Sequence, residues 1–306
     1  MPLGTELDVL PCLDSDAMAE SRRRELDVPK SVAAERARSA VEAIRLGHYT
    51  REDGTRVDWR AEVSAAVAAK VSVPPDAPLP PPPPRLTGSG APALGSPARA
   101  THVQVTNETT MGAARRLVDA GRRPLSLNFA NGIHPGGDFL GGARAQEETL
   151  CRSSALFATL EGDAMYAAHL ARPRPDSTDW CIVSPDVPFF RADDGASLER
   201  PWPCSVITCA APVAARVGQP ESGDLLERRI HRVLDVARAY GYRTLVLGAW
   251  GCGAFGNDPA RTARDFRAAL EGGFAGAFED VVFAVTDWSP ERRFLGPFRD
   301  AFDPGA

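Results

Sequence analysis

The chain predicts an α/β fold, with a largely parallel sheet and helices on both of its faces. Three observations carry that expectation. From about residue 99 onward, short apolar runs of strand length alternate with longer segments of helical periodicity. Two of the apolar runs end in glycine-rich loops that lead into helical segments. At 43% hydrophobic residues over 306 positions, the chain can bury a substantial core.

The elements follow in order. Residues 1–29 are polar, with little periodicity, and read as a flexible N-terminus. Residues 31–46 (SVAAERARSAVEAIRL) have amphipathic helical spacing, with Ser31 as the expected N-cap and Gly47 as the stop. Residues 48–59 read as a hairpin turning at Asp53-Gly54, and residues 60–71 as a second helix. Together, residues 30–72 form a small, mainly helical accessory region. Residues 73–98 are rich in proline and small residues, including the run from Pro80 to Pro84. Such a stretch excludes a regular helix or a central strand, and predicts a polyproline II linker or surface excursion. The same composition also suits a ligand for a proline-recognising domain, which would make the chain an interaction protein.

Residues 99–306 form the core. Strands are expected over 102–106, 125–130, 179–184, 205–210, 244–247 and 280–286. Helices are expected over 108–120, 147–160, 223–240, 259–270 and 290–302, the first of them capped by Asn107.

Composition narrows the chemistry. A formal net charge of −5 leaves no global basic field to attract nucleic acid. The six cysteines show no CxxC or Cys/His spacing, so neither a metal nor a cofactor is expected. No signal-peptide pattern and no membrane-length apolar run is visible, so the expectation is a soluble, cytoplasmic and monomeric protein with reduced thiols.

Residues 128–152 (NFANGIHPGGDFLGGARAQEETLCR) concentrate the chemistry. Glycine-rich loops ahead of helices cradle phosphate with backbone N–H groups and the positive end of the helix. Glu147 and Glu148 would repel phosphate there unless they aim at another part of the ligand. A ligand with a diphosphate and a reactive sugar suits both halves.

The string Asn128-Phe129-Ala130-Asn131, a glycine run, a spacer and then Gln146-Glu147-Glu148 resembles the signature of poly(ADP-ribose) glycohydrolases of the bacterial type. The resemblance covers most of residues 30–300. It implies a macrodomain-like three-layer α/β/α sandwich with a mixed, largely parallel sheet behind a small helical region. It also implies an enzyme that hydrolyses ribose–ribose O-glycosidic bonds and releases ADP-ribose, with ADP-ribose or an ADP-ribosylated macromolecule as its partner. By resemblance Glu148 is the catalytic acid, Glu147 holds ribose hydroxyls, and Asn131 binds ribose. A carboxylic acid suits this step because negative charge builds on the leaving oxygen. The loop Gly136, Gly137, Asp138, Gly141, Gly142, together with Gln146, is expected at the substrate. The family usually carries a third glycine where this chain has Asp138. That departure keeps a second reading open, a hydrolase of mono-ADP-ribose on protein or nucleic acid. A third is a macrodomain that binds ADP-ribose without cleaving it.

Residues 248–259 (GAWGCGAFGNDP) follow an apolar strand and resemble the second phosphate-binding loop of macrodomains. The resemblance places Gly251, Cys252, Gly253, Ala254 and Gly256 around the diphosphate and packs Phe255 on the distal ribose. At the end of the first core strand, Glu108 matches by position an acid that accepts the adenine amino group. It equally suits the first turn of a helix. Trp288 reads first as a packing residue, and secondly as a stacking partner for adenine.

Overall fold

The computed structural model describes residues 7–83 and 100–303. The predicted linker from residue 84 to 98 lies outside the described residues. The elements before it are β1 (Asp8–Val9), α1 (Asp16–Leu26), α2 (Lys30–Leu46), β2 (His48–Thr50), β3 (Arg56–Asp58), α3 (Arg60–Ala69) and β4 (Val71–Val73). Beyond it come β5 (His102–Thr106), α4 (Thr110–Asp119), β6 (Pro124–Ala130), α5 (Gln146–Ser153), α6 (Leu156–Leu160), α7 (Ala164–Leu170), β7 (Cys181–Arg191) and β8 (Ser197–Ala210). The chain continues with α8 (Ala214–Val217), α9 (Glu221–Ala239), β9 (Thr244–Leu247), α10 (Pro259–Glu271), β10 (Asp280–Ala284) and α11 (Leu295–Ala301).

One eight-stranded sheet runs in the order β1-β5-β10-β9-β6-β8-β7-β4. Pairing is parallel from β1 to β8 and antiparallel at β8–β7 and β7–β4, so the sheet is mixed and largely parallel. The middle strands carry runs of apolar residues because both faces are covered, as β9 (TLVL) shows with every residue buried. One face packs under α9, α10 and α11 through residues such as Ile230, Phe266 and Phe298. The other packs under α2 to α7 through Ala37, Trp59, Met111, Leu150 and Phe189. This is the three-layer α/β/α arrangement.

The helical region before residue 73 shares this second core. Alanines 37, 40 and 43 give α2 a narrow buried stripe, and Gly47 ends it in the left-handed region, as expected. The cap is Pro29, not Ser31, and it makes no side-chain cap bond. Trp59 is fully buried against Tyr49 and Phe190, with its indole N–H donating to Ala43 O at 3.0 Å.

Residues 8–26 form elements and pack onto the core despite their polar composition. β1 pairs with β5, and Leu13 N donates to Val105 O at 2.9 Å. Asn107 and Arg292 each bond Asp14 at 2.8 Å. Long-range polar bonds hold this segment, with Ala19 the only buried residue of α1, and periodicity does not register such bonds. The stretch 71–83 is likewise more than a linker. Val71–Val73 form an edge strand on β7, and Arg232 donates to Pro74 O at 2.7 Å.

Asn107 does not cap α4. Thr109 does, accepting from Gly112 N at 2.8 Å. Asn107 instead donates to Asp287 O at 2.7 Å and ties the ends of β5 and β10 together. The predicted helix 147–160 is two helices, broken where Ser154 takes an extended backbone and bridges to Phe189. Among the described residues no helix is long and apolar enough to cross a membrane.

Candidate active site

The C-terminal ends of β5, β6, β9 and β10 meet at a cleft of about 330 Å³. Parallel sheets place ligands there because the strands end and their loops diverge. The cleft is walled by Leu26 and Arg144, by Thr109 to Met111, by Ala145 to Leu150, and by the loop after β9.

Gln146, at the first turn of α5, works on the scaffold. Its Oε1 accepts from Phe129 N at 2.9 Å, and its Nε2 donates to Leu127 O at 2.7 Å and Thr110 Oγ1 at 3.0 Å. Both N–H groups are consumed, so Gln146 clamps α5 to the end of β6 while still lining the cleft.

Glu147 is buried. Its Oε2 accepts from Asn131 N at 2.7 Å and its Oε1 from Asn128 Nδ2 at 3.2 Å. Burial pushes its pKa up to about 8, against the pull of the Asn131, Asn128 and Gly136 donors and with a contribution from the neighbouring Glu148. Asn128 also donates to Thr208 Oγ1 at 3.2 Å, and its own Oδ1 is buried without a partner. The motif contains Asn128, but no role was assigned to it. The available signal was a polar side chain in the middle of a strand buried on both faces.

Glu148 differs. Its Oε1 accepts from Asp138 N at 3.2 Å, while its Oε2 is buried with no partner. Burial raises its pKa. The backbone donors of Glu148 and Asp138 and the charge of Arg152 lower it, and the Asp138 carboxylate raises it. A backbone N–H only donates, so Oε1 is the acceptor oxygen, and a proton on this carboxyl sits on Oε2.

The first glycine loop supports these acids. Gly136 and Gly137 take φ of 75° and 62°. A Cβ on Gly137 would collide with Glu148 Oε1, so only glycine lets the backbone come this close. Asp138 is not in the left-handed region, and its carboxylate folds over Gly141, where a Cβ would strike it. The backbone at this position therefore does not demand the family's third glycine. Gly142 lies against the Lys30 carbonyl, and Arg144 donates to Asp27 at 2.7 Å and to Val28 O at 2.8 Å. Gly136, Gly137, Asp138, Gly141 and Gly142 thus flank the cleft and do not line it.

In the second loop Gly251, Gly253, Ala254 and Phe255 line the cleft. Cys252 faces the core, donating to Trp250 O at 3.5 Å, and Gly256 only turns the chain with φ 71°. Asn257 braces the loop from behind through Pro212 O at 2.9 Å.

Glu108 is not at the cleft. It precedes the Thr109 cap of α4, outside the first turn, and pairs with Arg116 at 2.8 Å. Trp288 lines the cleft and is 42% exposed.

A family model described as the catalytic domain of microbial-type PARG matches residues 37–192. The chain belongs to this family. The match starts inside α2, so it takes in the helical region as well as both glutamates. Among solved structures, poly(ADP-ribose) glycohydrolase (PARG) from Thermomonospora curvata is 40% identical, covering 89% of this chain and 99% of that chain, with a TM-score of 0.79. The same enzyme bound to the inhibitor ADP-HPD is also 40% identical over 88% of this chain and 99% of that chain, with a TM-score of 0.78. PARG from Deinococcus radiodurans in complex with ADP-ribose is 38% identical over 79% of this chain and 96% of that chain, with a TM-score of 0.68. A search of curated proteins finds no match.

Proposed function

We propose that this microbial-type PARG hydrolyses the ribose–ribose O-glycosidic bond of poly(ADP-ribose), with Glu148 as the general acid. The observation that carries the assignment is the asymmetry of the Glu148 carboxyl, one oxygen fixed by Asp138 N and the other unpartnered. The bond from the anomeric carbon to the leaving oxygen breaks, and that oxygen takes the Oε2 proton. Water adds to the anomeric carbon, and the proton it gives up restores the acid. Raised pKa keeps Glu148 protonated above the ordinary carboxylate range, as an acid requires.

ADP-ribose lies along the cleft. Asn131 and Glu147 hold the distal ribose and Phe255 packs on it. The diphosphate crosses the second loop at Gly251 and Gly253, and adenine reaches Trp288. Supporting this, Asn131, Phe255 and Trp288 all line one cleft. The enzyme acts as a cytoplasmic monomer, a setting consistent with its six free thiols.

The test is incubation with poly-, protein-mono- and nucleic-acid-mono-ADP-ribose, with products separated by mass. Release of ADP-ribose from the polymer is expected. Turnover of a mono-ADP-ribosylated substrate alone would overturn the assignment.

A further inference from the structure

His169 sits on α7, a helix absent from the sequence-based expectation, with its imidazole buried behind the loop that follows β6. Its Nδ1 is 3.0 Å from the Gly132 carbonyl oxygen. Its Nε2 is 3.1 Å from Thr178 N and 2.7 Å from Thr178 Oγ1. A backbone N–H cannot accept, so Nε2 is the bare nitrogen and Nδ1 carries the proton. That proton is donated to Gly132. Burial, with the Arg229 and Arg172 charges, holds the imidazole below its usual pKa range, against the Gly132 carbonyl and Asp176.

Gly132 is the residue after Asn131. The Asn131 backbone N–H is held by Glu147, and its Oδ1 accepts from Ile133 N at 2.9 Å and His134 N at 3.0 Å. Those bonds leave its side-chain NH₂ to face a ligand. Behind Gly132 there is no slack, since a Cβ there would collide with Ser177 Oγ and stand 3.3 Å from His169 Nδ1. The turn carrying Ser177 and Thr178 is anchored in turn. Arg172 pairs with Asp176 at 2.6 Å, and the buried Arg229 donates to the Asp176 carbonyl and, at 3.0 Å, to Ala210 O.

We propose that His169 is a positioning residue of the reaction, whose Nδ1–H holds the Gly132 carbonyl and so sets how the Asn131 amide meets the distal ribose. This rests on Asn131 being the ribose-binding residue. The two faces of the imidazole can be tested apart. His169→Asn places an amide N–H near Nδ1 and keeps the Gly132 bond. His169→Gln places its amide near Nε2 and keeps only the Thr178 side.

Imidazole nitrogen NMR of the full chain is the first measurement, and it needs no variant. The Nδ1-protonated tautomer is expected, and an Nε2-protonated ring overturns the proposal. Calorimetry with ADP-ribose and steady-state kinetics on the polymer follow. His169→Asn should bind within about twofold of the parent, and His169→Gln about tenfold more weakly, with KM moving more than kcat. Equal loss in the two folded variants, or none in His169→Gln, overturns it. Asn131→Ala is the separate control. If its affinity stays at the parent value, the ribose assignment fails, and with it the function given to His169, whatever the tautomer.

Discussion

In the loop after β6 the glycines meet protein, and in the loop after β9 two of them meet open space. Gly137 abuts Glu148, Gly141 abuts Asp138, and Gly142 abuts Lys30. Gly253 and Gly256 have nothing within 4 Å of where a Cβ would stand. The first loop thus packs against two carboxyls, while the second leaves Gly253 open on the cleft, as the proposed diphosphate position requires. Glycine content alone reads the same in both. What separates them is the pair of acids that follows the first loop and folds back under it.

The strongest challenge to this contrast is Glu148→Gln. The amide preserves size and can still accept from Asp138 N, but it has no acid proton to give. Turnover of polymer should fall by about 10²- to 10⁴-fold, and ADP-ribose affinity should barely change. Near-parent turnover would strip the first loop of its chemical role.

A matched pair of alanines sharpens the comparison. Gly137→Ala puts a Cβ into Glu148 Oε1 on a backbone with φ 62°, so the left-handed strain alone is about 1–2 kcal/mol. Its melting temperature and turnover should both drop, the latter by more than about tenfold. Gly253→Ala meets no protein atom, so stability should stay within about 0.5 kcal/mol. Its ADP-ribose affinity should nevertheless weaken about tenfold, because the methyl group takes the ligand's space. Equal melting temperatures for the two variants would erase the distinction.

Glu147→Gln has a smaller effect on the fold, and the sign depends on pH. Folding raises the Glu147 pKa from an ordinary 4.5 to about 8. Its contribution to stability is therefore present below about pH 4.5 and is lost as pH rises toward 8, because the unfolded chain ionises first. Glutamine does not ionise, and Asn128 can turn its free Oδ1 toward the new N–H. The melting temperature of the variant, relative to the parent, should climb between those pH values. A flat difference would show that Glu147 is ionised in the ligand-free fold.

Asp138→Gly should do least. The carboxylate raises the Glu148 pKa, so removing it should move the high-pH limb of kcat to lower pH. Preference among ADP-ribose linkages should not change, since that side chain folds away over Gly141. A switch in linkage preference would restore Asp138 as a specificity device.

Much of this was legible in the chain. β5 and β9 fall where expected, β9 because a strand buried on both faces writes itself as an apolar run (TLVL), and β5 (HVQVT) through its alternating valines. The extensions of β7 and β8 were hidden by Pro185, Pro188, Pro201 and Pro203, which local rules read as strand breakers. Pro185 falls in a register shift between Ser184 and Val187, and Pro188 and Pro203 stand opposite each other in the ladder. At the site, residue identity picked out both acids and Asn131, and the fold gathers these three at one cleft. It did not register that the side chains of Gln146, Cys252 and Glu108 bond scaffold groups, at Leu127, Thr262 and Arg116. His169 was missed because a lone histidine carries no signal until the fold brings Gly132 and Thr178 to its two nitrogens.

The edges of the sheet have a consequence for how the chain comes off the ribosome. Both outer strands, β1 and β4, come from the first 73 residues, yet their docking partners are β5 and β7. Both strands are made before their partners and must wait for residues 102–103 and 181–183 before either edge can close. Such distant pairings make assembly slow, and the nascent core shows bare strand edges until they form. Once seated, these two short strands cover the backbone groups on which another chain would otherwise add.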